Sequence, residues 1–566
     1  MQRNLAARAG AWSAQHRKKA ILGWIAFVVL ASVAGGFAGQ RQLSDADTSN
    51  GQSAAAERAI EAAGFPEDAG EQVLVQGRGT LRSSDPAFAA ALRDVTRRLE
   101  ATRYVQDVHS PLSAGNEGQI AKDGRSAVVT FKIPGDDEVA ADRVDASLAS
   151  VAAAQAAHPQ LRIEQFGSAS AEKAISKSFQ DDFKRAEFLS IPITLLILLV
   201  AFGALVAAGL PLLLALTAVA ATLGLLGPIS QLLPVDESVS SVVLLVGLAV
   251  GVDYCMFYVR REMEERDAGR GAAAALEAAA ATSGRAVLIS GITVMVAMAG
   301  MFFAGNAVFQ SFAVGTILVV AVAIVGSLTV LPAMLSWLGQ KGWTEKGRVP
   351  YVSRLRHRTK GESRVWGAIV DRVLRRPVLS VALSAGLMIA LAIPAFGMHT
   401  VNPGVAGLSR DLPVIQTYDR LQAAFPGGAE PAVVAIEAAD VDAPAVQRGI
   451  AALKAAARTT DGLGQPVTVT NNPRDTLALV EIPLAGNGTD KVSEAALARL
   501  REDVIPATIG RADGVHVNVT GMTAGSKDFN DTMASHLPLV FGFVLGLTFL
   551  LLLVTFRSIV IPIKAI

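Results

Sequence analysis

The sequence predicts a polytopic α-helical membrane protein with two α+β domains outside the membrane, laid out as an internal repeat. Three observations carry that prediction. Eight apolar runs are long enough to cross a bilayer, two long polar segments share one order of strand and helix patterns, and matching landmarks recur at a near-constant offset.

The apolar runs come first. Of 566 residues, 51% are apolar and only 18% charged, against roughly 25% charged in an average globular protein. The excess collects at 20–39, 188–207, 210–233, 239–259, 286–304, 311–338, 377–396 and 537–555. Runs of about 20 residues cross a hydrocarbon core of roughly 30 Å, so these are eight spans. The first follows Arg17, Lys18 and Lys19 and exceeds the about 7 to 15 residues of a signal-peptide core, so it reads as an uncleaved helix. A net charge of +1 gives no concentrated basic face, and no nucleic-acid partner is expected. The one cysteine, Cys255, excludes an intrachain disulfide and a cysteine-based zinc site. No metal-binding histidine pair and no nucleophile elbow is present, so neither a metal nor another cofactor is expected, and no enzyme chemistry.

Orientation follows from the preference of Lys and Arg for short cytoplasmic loops. The loop after the sixth span holds eleven basic residues, Lys341 to Arg376, against Glu345, Glu362 and Asp371. With that loop inside, span counting puts the N-terminus and the Arg260 to Arg270 segment inside too. The chain then divides into an arm and first span (1–39), a first outside domain (40–187), five spans (188–338), the basic loop (339–376), a seventh span (377–396), a second outside domain (397–536), and an eighth span with the start of a ninth (537–566).

The repeat is read from landmarks. Each outside segment begins with a helix ending in Phe-Pro, at Phe65 and Phe425, and closes on a strand ending in glycine, at Gly167 and Gly521; the offsets are 360 and 354 residues. Alternating apolar positions predict strands at 72–76, 104–109, 126–133 and 162–166, with helices at 85–102 and 139–157. The second segment matches, with strands at 432–437, 467–471, 476–482 and 516–520 and helices at 443–458 and 493–503. Both read β-α-β-β-α-β, the split βαβ arrangement of ferredoxin-like domains. One span, one domain and five spans, repeated, predict twelve spans; the second copy stops after its second, and about four further helices are expected to complete it.

Asp253 stands in the fourth span with no other acid between Val239 and Val259. A carboxylate at that depth costs roughly 2.5 to 3.5 kcal/mol to insert and marks an ion or proton path. A neutral aspartic acid that only anchors a neighbouring helix is the plainer alternative. Tyr254 can hold or relay the carboxylate proton, although tyrosine also lines membrane interfaces. Gly247 and Gly251, four apart, let another helix approach. Ser290, beside Gly291 in the fifth span, lies at a similar depth and could bond Asp253, a water, or its own helix. The segment Arg261 to Ala281 reads as an amphipathic surface helix with Glu262, Glu264, Glu265 and Arg266 solvated.

The run Gly251-Val252-Asp253-Tyr254-Cys255-Met256-Phe257 with Arg260-Arg261-Glu262, followed by Ser283-Gly284-Arg285 and Ser290-Gly291, resembles the MMPL transporters of the resistance-nodulation-division superfamily. The resemblance extends over the whole chain and includes the repeat. It implies a secondary active transporter in a bacterial, typically actinobacterial, cytoplasmic membrane, exporting lipids or other hydrophobic molecules in exchange for protons. Its partners would be a lipid substrate, protons and membrane lipids, with self-association into a homo-oligomer left open. In such proteins a second Asp-Tyr pair faces the first, which the offset places near 607–613, and Phe257 would line the same channel or simply pack. Two related readings share this topology, a Sec-associated protein-export motor and a sterol-sensing receptor without transport.

Overall fold

The computed structural model describes residues 5–65, 68–113, 116–121, 123–135, 137–202, 205–340, 364–397, 410, 412–425, 431–464, 467–486, 488 and 490–566. It divides into two units. One comprises 1–48, 187–400 and 531–566, the other 49–186 and 401–530.

The first unit is helical. Seven helices among the described residues are long and apolar enough to cross a membrane: Arg17–Ala38, Ala208–Ser230, Val239–Asp267, Ala272–Phe303, Ala307–Leu338, Pro377–Ala395 and Met522–Phe556. They correspond to expected spans 1 and 3 to 8. The expected second span, 188–207, forms the end of the helix Ser168–Phe202 and runs over residues 203–204, outside the described set. Most of the basic loop, 341–363, also lies outside it, while Arg364–Arg375 is a helix.

Spans 1 and 3 cross at their glycines. A Cβ on Gly35 would stand 2.3 Å from the Gly224 carbonyl oxygen, and one on Gly224 would stand 2.5 Å from the Ala31 carbonyl. In lipid, where no hydrophobic gain separates helix from acyl chain, such backbone approach supplies the dispersion that holds helices together. Nearby, Trp24 Nε1 donates to Thr217 Oγ1 at 3.1 Å. Span 6 carries a π-helical turn at Gly326–Val330, where the Trp24 ring lies 3.0 Å from the place of a Gly326 Cβ.

One part of this unit adds to the sequence reading and another corrects it. The arm is a helix, Leu5–Gln15, packed on span 5 and the end of span 6, with buried Ser13 donating to the Thr329 carbonyl. Nor is Arg261 to Ala281 one surface helix. Span 4 continues to Asp267, and span 5 begins at Ala272 after a short turn. Glu262 and Glu265 are only 2% and 7% exposed rather than solvated. Arg266 pairs with Glu262, while Arg261 and Arg270 pair with Glu265. Cations one turn away let both carboxylates sink between the helices.

The second unit contains two four-stranded antiparallel sheets. Strands β1 (Asp68–Gly77), β2 (Gln106–His109), β3 (Ser126–Pro134) and β4 (Leu161–Gly167) run in the order β2-β3-β1-β4; β5 (Ala432–Glu437), β6 (Thr468–Asn471), β7 (Leu477–Ile482) and β8 (His516–Thr520) run in the order β6-β7-β5-β8. Between strands lie helices Pro86–Glu100 and Asp145–Ala157 in the first copy, Pro444–Thr459 and Lys491–Arg499 in the second. The expected helix 139–157 has an irregularity at Val144, but the bonds Val144 N to Ala140 O (2.9 Å) and Leu148 N to Val144 O (3.0 Å) run through it.

Alternation along β1 sends Val73 and Val75 to Phe88, Leu92 and Ile163, and Leu74 to the opposite face. That opposite face is covered from the other copy. Leu421, on the leading helix Pro413–Ala424, packs with Leu74 and Val128, and Arg420 holds Glu164 of β4 with two bonds of 2.9 Å. Reciprocally, the leading helix Gly51–Ala63 sets Ala56 and Ala63 against Ala435 and Leu477 of the second sheet. The two copies therefore exchange their leading helices.

Candidate functional site

Span 4 holds the candidate site and is packed on three sides by spans 3, 5 and 6. Its glycines make this approach possible. A Cβ on Gly247 would lie 2.5 Å from Val219 Cγ2 and 2.7 Å from Val319 Cγ2, and one on Gly251 would lie 2.9 Å from Ala215 Cβ. Gly247 thus abuts spans 3 and 6, and Gly251 abuts span 3, too closely for a Cβ unless the neighbours shift.

Successive residues then point to different surroundings. Tyr254, 5% exposed, joins a cluster with Val287, Ile324 and Leu328. Its hydroxyl reaches span 5, 3.3 Å from where a Gly291 Cβ would stand. That oxygen is buried and makes no well-formed hydrogen bond among the described residues, although the Ser290 side chain stands beside it as a hydrogen-bonding group.

Asp253 lies on the open side. It shares one helical row with Leu245, Ala249 and Phe257, four residues apart, and all four are exposed among the described residues. At 1.5 Å per residue, Asp253 is roughly 21 Å along the helix from Val239. The row is apolar apart from this carboxylate.

Ser290 is exposed on span 5, and no hydrogen bond joins it to Asp253. The structure therefore brings Tyr254, Gly291 and Ser290 together at the span 4 and span 5 seam. Phe257 falls one turn from Asp253 on its face. No group of three or more His, Cys, Asp or Glu side chains among the described residues could hold a metal. The arrangement sets an accessible carboxylate beside a fixed phenol on adjoining residues of one span.

Sequence reasoning missed the ion pairs under the site and the π-helical turn in span 6. The first left a signal, Glu262 and Arg266, and Arg261 and Glu265, each four apart. The second left only a glycine, Gly326.

The model of the MMPL family matches residues 46–380 and 406–566. The chain is 33% identical over 407 residues to the mycolic acid-containing lipids exporter MmpL11 of Mycolicibacterium smegmatis, a match covering 69% of this chain and 41% of that one. It is 30% identical over 430 residues to the heme uptake protein MmpL11 of Mycobacterium tuberculosis, covering 73% and 42%. It is 27% identical over 415 residues to the trehalose monomycolate exporter MmpL3 of M. smegmatis, covering 68% and 40%. The matches thus span about two-fifths of these relatives' length.

Proposed function

The chain belongs to the MMPL family, and from that premise we propose that it exports lipids or other hydrophobic small molecules across a bacterial cytoplasmic membrane, driven by protons that load and leave Asp253. The N-terminus lies inside, and both sheet-bearing copies are extracytoplasmic, ferredoxin-like domains through which cargo leaves. The observation that supports this best is the pairing of an accessible carboxylate deep in span 4 with a buried, unbonded phenol at the next residue.

Asp253 would alternate between charged and neutral forms. Its charged form is costly against an apolar row in lipid and its neutral form is not, so protonation shifts which partner surface the row prefers. Tyr254 donates to the carboxylate when its rotamer swings and otherwise fills the seam. We place a second carboxylate opposite, near 607–613, to complete the relay. Gly247 and Gly251 keep span 4 close to its neighbours while this happens, Ser290 offers a hydroxyl to the Tyr254 side, and Phe257 walls the path.

The driving force suffices. One proton crossing about 100 mV releases roughly 2.3 kcal/mol, which sustains an approximately fiftyfold gradient of a neutral cargo.

Two relatives are named for mycolic lipids, which supports a lipid cargo here. One is named for heme uptake, which supports a second reading, an amphiphilic ring carried inward. Export of radiolabelled lipid from cells carrying the full-length protein, against Asp253→Asn, tests the first. Loss of lipid export in the variant is expected, and unchanged export overturns the proton-driven reading. Heme-dependent growth lost in the same variant, with lipid export intact, would favour the second.

A further inference from the structure

The arm helix Leu5–Gln15 meets spans 4, 5 and 6 through its smallest residues. A Cβ on Gly10 would stand 2.8 Å from Ala280 Cβ and 3.1 Å from the Tyr258 hydroxyl. One turn earlier, buried Ala6 has its Cβ 3.4 Å from the place of a Gly284 Cβ, where Leu328 Cδ2 and Tyr258 Cε2 stand at 3.4 and 3.6 Å. One turn later, buried Ser13 donates to the Thr329 carbonyl in the π-helical turn, and Ser336 Oγ donates to the Ala14 carbonyl at 3.3 Å. Ala6, Gly10 and Ser13 recur at helical spacing on one face, while Arg8 and Trp12 are exposed.

That face is the floor of the seam holding Tyr254. Ala6 belongs to one buried cluster with Val287, Leu328, Ile324 and Tyr254. Along span 4, Tyr254 lies one turn, roughly 6 Å, from Tyr258, and along span 5 Gly291 lies roughly 10 Å from Gly284. Tyr258 is 1% exposed and donates to the Leu276 carbonyl at 3.5 Å. From the arm upward, the seam thus passes two phenols in succession. Ala280 and Gly284 are too small to close its lower end themselves. With the arm away, the space it fills would open onto Tyr258 and, one turn further, Tyr254.

The hold on the arm is light. Isolated helices under about 12 to 15 residues are marginal in water, and this one has 11, so docking is what keeps it helical. Its buried face offers methyl groups, a glycine and one hydroxyl, little apolar area to oppose release. Lids that come and go are drawn from such low-stability elements.

We propose that the arm is a releasable plug at the cytoplasmic end of the seam between spans 4, 5 and 6. Docked, it keeps water from the two tyrosines; released, it opens the water path by which the proton on Asp253 leaves. The proton's exit rests on the proton-driven reading above, and the control of water access does not.

The test uses the full-length protein with every native cysteine replaced, Cys255 among them, and Val287→Cys as the one thiol, placed in the seam between arm and Tyr254. A charged, water-soluble methanethiosulfonate is added to inside-out vesicles, and labelling is timed by mass spectrometry. Labelling should be slow while the arm is intact. Gly10→Leu, whose side chain collides with Ala280 and Tyr258, should speed it about tenfold or more, since one overpacked side chain shifts a docking equilibrium by that much. Deletion of residues 2–15 should do the same without any collision. A separate variant, Ala6→Cys with Gly284→Cys, brings two Cβ atoms near the about 3.5 to 4.5 Å that a disulfide requires. Proton flux in liposomes should stop when that clamp is oxidised and return on reduction, within one folded protein. Equal labelling rates with the arm intact, in Gly10→Leu and in the deletion overturn the plug, and full flux through the oxidised clamp overturns release as the exit route. Faster labelling with no proton flux in any variant upholds the plug and overturns the proton-driven reading, so the two fail separately.

Discussion

The Tyr254 hydroxyl oxygen lies 3.3 Å from the position a Cβ on Gly291 would take. The missing side chain on span 5 is what gives the phenol of span 4 its place, and Ile324 of span 6 closes the same gap, with Cδ1 only 2.3 Å from that position. Three helices therefore meet over one glycine beside Tyr254.

Gly291→Val should push both Tyr254 and Ile324 off their positions. Overpacking of this kind costs about 1 to 3 kcal/mol, and a lower unfolding midpoint in detergent with reduced transport is the expected result.

Tyr254→Phe separates packing from chemistry. The ring keeps its contacts, and the hydroxyl it loses has no hydrogen-bond partner, so stability should hold or rise by up to about 1 kcal/mol. Transport should fall all the same, as measured by initial export rate.

Asp528 accepts from Ser53 N at 2.9 Å, Ser53 Oγ at 2.7 Å and Arg501 Nη1 at 2.7 Å. The side chains of Arg501 and Asp528 are 14% and 9% exposed. Asp528→Asn leaves a buried guanidinium without its counter-charge and should cost about 3 kcal/mol. Denaturant unfolding followed by the sheet signal checks it.

Glu71 is 1% exposed, and burial raises its carboxyl above the ordinary range, with the bonds from Gln165 Nε2 (2.7 Å) and Ser170 N (2.9 Å) opposing. An acid whose folded value is raised binds its proton more tightly when folded. Its contribution is therefore full below the unfolded value and lost as pH rises through the folded one. The parent protein should lose stability as the pH rises above the ordinary carboxyl range, in part through this residue, and Glu71→Gln should flatten that slope. Thermal midpoints across the range measure it.

Much of the fold was legible because it is local. Strands β5 and β8 occupy the residues their alternation predicts, 432–437 and 516–520, since a half-buried strand needs only period two. The exchange of leading helices was not legible. Leu421 meets Leu74 across 347 positions, and nothing in a helix's own pattern says which sheet it covers. Glu262 and Glu265 misled because charge suggests water, whereas arginines one turn away allowed burial. At the site, the residue types were readable, but the division of labour was not: that Tyr254 faces in and Asp253 faces the uncovered row depends on which neighbours exist.

The central claim is that Asp253 carries the proton. In liposomes holding the full-length protein, a pH-sensitive dye inside reports proton movement when lipid cargo and a membrane potential are supplied. Cargo-dependent proton flux is expected, abolished in Asp253→Asn and partly kept in Asp253→Glu. Equal flux in the parent protein and Asp253→Asn would contradict it.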